Sequence, residues 1–142
     1  MKILGFNFTK INAEKNLALN PSVINTNIEF LDFEKDSAEM LKDQNIVKVS
    51  FKFDISYLES QDKKENLAGK LSFEGVILLS AEKKDPDLVK EWKKKEVNEE
   101  IKVKLLNIII KKCSAKALTL EEELDMPPHI PLPRISVKDK KE

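Results

Sequence analysis

Alternation of apolar and polar side chains over residues 46–58 constrains the fold of this chain more than any other feature. Every second position is apolar, and these positions are Val47, Val49, Phe51, Phe53, Ile55 and Tyr57. Lysine, serine and aspartate fill the positions between them. Because side chains alternate faces along a strand, the pattern predicts a long strand with one apolar and one solvated face. Such a strand is typical of an antiparallel sheet that is covered on one side.

Three further stretches also favour strands. The first is centred on Phe6, where apolar residues again occupy alternate positions. Residues 23–33 predict a second strand, in which the apolar parity changes after Phe30, as at a bulge or a strand end. Residues 67–81 predict a strand in which Gly75 marks a bulge or the close approach of another backbone. The chain is therefore predicted to begin with four strands.

After the strands, the apolar spacing becomes helical. A short helix carries Trp92, and Asn98 caps a longer helix whose first turn is acidic. The longer helix has two apolar stripes. One comprises Ile101, Leu105, Ile108 and Ile109, and the other comprises Val103, Leu106, Ile110, Cys113 and Ala117. One stripe is enough to cover a sheet, so the second predicts burial against another subunit or under a fold of the same chain. We assign the oligomer interface to Ile101, Leu105, Ile108 and Ile109.

A proline-rich apolar segment follows the long helix. Thr119 and Glu122 have capping-box spacing, which indicates a break in the helix. Four prolines within seven residues then exclude helix and favour polyproline II. We predict that residues 126–135 pack as an extended arm along an apolar groove. Residues 1–135 would form a single domain, and residues 136–142 a charged, disordered tail.

The residues that usually carry chemistry are few and dispersed. His129 is the only histidine and lies in the proline segment, where a surface position is typical. Cys113 is the only cysteine, so no intrachain disulfide can form, and its apolar stripe predicts an inert buried thiol. The three glycines are too far apart for a phosphate-binding loop. We therefore expect no enzymatic activity, no metal site and no cofactor.

Composition restricts the partners and the compartment. Charged residues make up 35% of the chain and the formal net charge is zero, which argues against nucleic acid as a partner. A single cysteine fits a reducing cytosol. The first residues are too short an apolar stretch for a signal peptide, and no run is long enough to insert into a membrane. These features predict a cytoplasmic protein.

The order of elements and three short stretches resemble the export chaperone SecB and the SecB-like chaperones. Residues 27–33 look like the acidic-apolar second strand of that family, and residues 71–80 look like its fourth strand. Residues 124–128 look like its apolar-proline step after the long helix. The resemblance spans about residues 3–135. It implies an α+β fold in which a long C-terminal helix packs on a four-stranded antiparallel sheet, assembled as a homotetramer, a dimer of dimers.

The family resemblance implies an ATP-independent holdase that binds unfolded polypeptides in apolar grooves, with protein export as one role. From the residues, the predicted client-binding set is Phe6, Phe8, Ile28, Phe30, Phe33, Trp92, Met126 and Ile130. Phe33 is favoured because the parity change would point it away from the covered face, and Trp92 because a short helix buries little of an indole. The alternative is a dedicated interaction subunit of a larger complex. A thioesterase-like enzyme is disfavoured by the uninterrupted apolar parity.

Overall fold

Four strands, a short helix and a long helix follow one another along the chain. The computed structural model describes residues 1–36, 44–62, 67–82 and 84–137. The elements are β1 Lys2–Lys15, β2 Val23–Lys35, β3 Gln44–Leu58, β4 Leu67–Glu82, α1 Leu88–Lys93 and α2 Glu99–Glu123. The strands form one antiparallel sheet in the order β1-β4-β3-β2. The predicted α+β fold, with its four-stranded sheet and long C-terminal helix, is confirmed.

Strand β3 supplies the centre of the core, as its alternation predicts. Its six alternate apolar residues, from Val47 to Tyr57, are each no more than 4% exposed. Phe53 stacks on Phe73 of β4 with ring centroids 5.9 Å apart. Lys52 and the other polar residues between these apolar positions lie on the opposite face of the sheet and are half-buried. The sheet therefore has one apolar face, which the helices cover, and one polar face.

Strand β1 extends to Lys15, well beyond its predicted length, because β4 offers it a partner along nearly the whole strand. The backbone of β1 lies close against Gly75 of β4. A Cβ atom on Gly75 would lie 2.5 Å from the carbonyl oxygen of Asn7 and 2.7 Å from Cζ of Phe51. The predicted close approach of another backbone at this glycine is confirmed.

Helix α2 packs on the apolar face through residues spaced four apart. These residues are Leu105, Ile109, Cys113, Ala117 and Glu121, and all are buried. A row with this spacing is inclined to the helix axis, so it can follow the twist of the sheet. Our assignment of Leu105 and Ile109 to an oligomer interface is wrong, because they are 1% and 0% exposed within the single chain. The other two residues of that predicted set, Ile101 and Ile108, are half-buried.

The end of α2 also differs from the prediction. The helix runs unbroken through Thr119 to Glu123, so the predicted break is wrong. It ends at Glu123, and Asp125, with a φ of 55°, then turns the chain into the proline segment. Of the predicted tail, residues 138–142 lie outside the described part of the chain. No helix among the described residues combines the length and the apolar character needed to cross a bilayer.

Candidate functional site

A cleft of about 680 Å³ opens between strand β2 and the helices. Ile28 and Phe30 of β2 form one apolar wall. Trp92 of α1, Val97 of the α1–α2 connection and Leu106 of α2 form the other. Three of the eight predicted client-binding residues, Ile28, Phe30 and Trp92, therefore meet at one site. We refer to this site as the cleft.

A β-bulge in β2 determines which aromatic residues face the cleft. The register with β3 shifts between Phe30 and Asp32, so Leu31 is the inserted residue. The shift returns Phe33 to the core face, where it is 1% exposed, while Leu31 is 43% exposed. The outward orientation predicted for Phe33 is therefore wrong. Its ring instead forms a floor below Trp92, with centroids 5.0 Å apart and planes inclined by 29°.

The segment after α1 is tied to the N-terminus of α2. Lys95 has a φ of 60°, which ends the short helix and turns the chain towards α2. The carboxylate of Glu91 then accepts a hydrogen bond of 2.8 Å from the backbone N–H of Asn98, the N-cap of α2. This bond connects the two helices across the turn. Trp92 itself is half-buried, and Phe33 stacks against its ring.

Charged side chains line the two rims of the cleft with opposite signs. Glu29 and Asp32 lie on the strand side, and Lys93, Lys95 and Lys102 lie on the helix side. A bound chain could place apolar groups at the centre and charges of either sign at the rims. In solvent-exposed positions such charges contribute little to affinity but affect encounter and orientation.

Strand β2 lies at an edge of the sheet beside the cleft. In the described part of the chain, β2 pairs with β3 alone. The outward N–H and C=O groups of an edge strand can pair with an added extended segment. The cleft therefore combines apolar contacts with a free backbone ladder.

Two of the predicted client-binding residues lie far from the cleft. Phe6 and Phe8 belong to β1, which forms the opposite edge of the sheet. They are half-buried and pack against the core, with ring centroids 5.2 Å from Phe51 and 5.7 Å from Phe73. The structure does not bring them together with the β2 residues.

The proline arm, residues 126–135, is docked only in its first part. Met126 is 6% exposed, and its sulfur lies 2.6 Å from where a Cβ on Gly69 would be. Ile130 is 37% exposed and Ile135 is fully exposed. The surface position predicted for His129 is wrong, because its side chain is only 2% exposed.

Sequence reasoning missed Val97, Leu106 and the lysines of the rim as parts of the site. Leu106 carried a signal, since it belongs to an apolar stripe that a sheet-covering helix does not need. Val97 carried none, because it is a single apolar residue between two helices. Only the turn after α1 brings it to the cleft.

Covalent chemistry finds little support among the described residues. Burial raises the pKa of the Cys113 thiol to about 12, so the reactive thiolate is suppressed. No group of three histidine, cysteine or acidic side chains in the described ranges could hold a metal ion. The cleft itself offers apolar contact, backbone pairing and exposed charges, which are the means of non-covalent binding.

Comparison with known proteins places the fold. No protein-family profile matches the sequence, and no curated protein matches it. Among solved structures, the chain is similar to the SecB-like chaperone Rv1957 of Mycobacterium tuberculosis, solved in complex with a ChAD peptide from the antitoxin HigA1 (Rv1956). The two share 15% sequence identity and a TM-score of 0.52, over 97% of this chain and 92% of the other. The fold of this chain is SecB-like.

Proposed function

We propose that this chain is an ATP-independent chaperone of the holdase type, which binds extended segments of unfolded polypeptides in the cleft. The observation that carries the proposal is the cleft itself, with its apolar centre, charged rims and adjoining edge strand. The SecB-like fold supports it, because the structural neighbour Rv1957 holds a peptide from an antitoxin. Exposed apolar surface of this kind marks protein-binding sites.

Burial of apolar side chains would drive the binding. One large apolar side chain moved from water into the cleft contributes roughly 1.5–3 kcal/mol, before the cost of ordering the client. A single cleft is therefore a weak site that tolerates many sequences. Because burial rather than charge dominates, we expect client binding to persist at high salt. Backbone pairing along β2 would favour extended clients without adding sequence specificity.

We further propose that the chain assembles as a homotetramer, a dimer of dimers, through the outer face of α2. This face replaces the interface that we assigned from the sequence. Val103 and Ile110 lie on it, 50% and 44% exposed. Several clefts in one particle would hold one long client at several points, which raises the overall affinity without any new contact.

The proposal assigns no enzymatic activity, no cofactor and no nucleotide to the chain. It places the protein in the cytoplasm, where unfolded polypeptides arise during synthesis and before export. Without a nucleotide-driven step, client release would depend on the weakness of each cleft and on competition with the client's own folding.

A dedicated interaction subunit is the second candidate function. It is favoured by one observation, that the neighbour Rv1957 was solved with a peptide from a specific antitoxin. Such a subunit would recognise one partner and ignore unrelated unfolded chains. Promiscuity therefore separates the two functions.

The cleft can be tested with the double substitution Ile28→Ser and Leu106→Ser. We expect the affinity for a fluorescently labelled, reduced and unfolded client to fall about tenfold or more, because two apolar contacts are lost. Fluorescence anisotropy with two unrelated clients measures the effect, and circular dichroism verifies that the variant is folded.

The matched control is Ile11→Ser, since Ile11 is an exposed apolar residue, 45% accessible, on the far edge strand β1. It should leave client binding unchanged. A folded wild-type protein that binds neither client would contradict the chaperone proposal. A protein that ignores both but binds one native partner tightly would favour the dedicated subunit.

A further inference from the structure

A buried polar cluster fixes the proline arm to the body of the protein. The Tyr57 hydroxyl donates a hydrogen bond to the carboxylate of Glu121. The same carboxylate lies 3.0 and 3.1 Å from Nδ1 of His129. Nε2 of His129 lies 3.1 Å from Oγ of Ser114. These four side chains, from β3, α2 and the arm, are referred to as the polar cluster.

The chemistry of the polar cluster makes His129 the polar anchor of the arm. A carboxylate only accepts hydrogen bonds, so Nδ1 of His129 must be the donor to Glu121. The side chains of His129 and Glu121 are each 2% exposed, whereas Leu132, three residues further along the arm, is 48% exposed. Buried polar groups are costly to leave unpaired. The arm is therefore held by apolar packing at Met126 and by buried hydrogen bonds at His129.

Hydrogen bonds connect Ser114 to His129 and His129 to Glu121, as in a serine–histidine–acid triad. The surroundings of these residues do not suit catalysis. Glu121 is shared with Tyr57, which has no place in such a triad. The imidazole is enclosed, since the side chain of His129 is only 2% exposed. We assign the polar cluster a role in holding the arm.

The polar cluster lies near the cleft, on the same face of the sheet. Ser114 and Leu106 are eight residues apart on α2, which puts Ser114 about 12 Å further along the axis and about 80° around it from Leu106. On the sheet side, Ile28 of the cleft pairs with Phe53 of β3, and the His129 ring lies edge-on to Phe53, with centroids 6.3 Å apart. His129 of the docked arm thus lies beside Phe53, the direct cross-strand neighbour of Ile28, just outside the residues that line the cleft.

We propose that the first part of the arm occupies the continuation of the cleft, and that a long extended client displaces it by opening the polar cluster. This inference rests on the proposed function. A short client would fill the cleft between Ile28 and Leu106 and leave the arm in place. A longer one would continue along β2 towards Ile24, which pairs with Tyr57, and would meet His129. Its added contacts must then exceed the loss of the His129 hydrogen bonds. The arm would therefore make the protein select clients by the length of their unfolded segments.

The sequence provides a specific probe for each end of this system. Trp92 is the only tryptophan and lines the cleft, and His129 is the only histidine and belongs to the arm. The experiment uses two tryptophan-free and histidine-free peptides that share an apolar centre. One has about 6 residues and the other about 14, since an extended chain spans about 3.3 Å per residue. Tryptophan fluorescence and the imidazole signals of nitrogen-15-labelled histidine are recorded during each titration.

Both peptides should change the Trp92 fluorescence, and only the long one should move the His129 signals to those of a solvent-exposed imidazole. Saturation of the Trp92 response by the long peptide with unchanged His129 signals would overturn the role of the arm and leave the proposed function intact. Absence of any Trp92 response and of client binding would overturn both. Equal displacement of His129 by the two peptides would exclude length selection.

Substitutions test the same point independently. His129→Ala should tighten binding of the long peptide by about tenfold, the equivalent of a buried hydrogen bond to a charged group, and leave the short peptide unaffected. Ser114→Ala removes only one hydrogen-bond partner of His129. It replaces His129→Ala if that variant does not fold, and it should tighten binding of the long peptide by a smaller factor. Ile135→Ser, on the exposed part of the arm, is the control. An unchanged ratio of the two affinities in a folded Ser114→Ala or His129→Ala protein would contradict the proposal.

Discussion

At the scale of single residues, Tyr57 links the pH of the solution to the stability of the fold. Burial is the main cause that raises the pKa of its hydroxyl, and the hydrogen bond to Glu121 and the charge of Glu121 add to it. The folded-state pKa therefore lies above the unfolded value of about 10. Its contribution to stability is fully present below about pH 10 and is lost as the pH rises towards the folded-state pKa.

We expect the free energy of unfolding to fall above about pH 10, with a contribution from Tyr57 of at most about 1.4 kcal/mol per pH unit. Because Tyr57 is the only tyrosine, tyrosinate absorbance reports on it alone. In an alkaline titration that absorbance should appear together with the loss of native circular dichroism. Tyr57→Phe is the control and should remove this part of the pH dependence. Tyrosinate forming near pH 10 in a protein that stays folded would refute the expectation.

The same cluster shows where sequence reasoning ends at this scale. Glu121 reads as a surface glutamate near a helix end, and His129 as a surface residue of a proline segment. One signal was available, because Glu121 continues the four-residue spacing of Leu105, Ile109, Cys113 and Ala117. The partners Tyr57 and Glu121 are 64 residues apart, so nothing local connects them. Only the packing of α2 across β3 brings them together.

At the scale of elements, the strands were predictable and the orientation of α2 was not. Period-two alternation identifies both the strands and their covered face, and β3 is the clearest case. In β2 the inserted residue Leu31 shifts the alternation of faces by one position. Phe33 was therefore assigned to the wrong face. Helix α2 is apolar on two sides, and the sequence alone does not tell which side meets the sheet. The cleft depends on the bulge in β2 and on the orientation of α2. Of its lining residues, only Ile28, Phe30 and Trp92 were therefore predicted.

The orientation of α2 can be tested with two substitutions on the same helix. Leu105→Ala should lower the free energy of unfolding by about 2–5 kcal/mol, because Leu105 is buried against the sheet. Val103→Ala, at a half-exposed position, should cost much less in a protein diluted to single chains. Urea denaturation followed by circular dichroism measures both. Equal losses from the two substitutions at that dilution would contradict the orientation.

At the scale of the whole molecule, the neutral net charge conceals an uneven distribution. Between Ile101 and Leu120, α2 carries five lysines and no acidic residue, and these lysines are exposed. A symmetric assembly through the outer face of α2 brings like charges towards each other. Solvent-exposed charges are screened by salt, so the repulsion should weaken as the ionic strength rises.

We therefore expect self-association to strengthen between about 0.01 M and 0.5 M salt, where the Debye length shortens from about 30 Å to less than 10 Å. Sedimentation velocity across this range measures the effect. Val103→Lys should shift the equilibrium towards smaller species at every salt concentration, whereas Ile11→Lys on β1 should not. Association that weakens with salt would contradict an interface on this face of α2.

The bulges in the two edge strands have a consequence for aggregation. Strand β1 is interrupted between Ile3 and Gly5 and again between Phe8 and Lys10, and β2 between Phe30 and Asp32. A flat, uninterrupted edge is a template on which extended chains can stack into cross-β assemblies, and a bulge twists the strand and ends the ladder. Under the proposed holdase function, a protein that binds unfolded chains along such an edge would otherwise risk seeding their aggregation. The bulge in β2 would limit each bound segment to a short ladder, which could be held and released without templating the next chain.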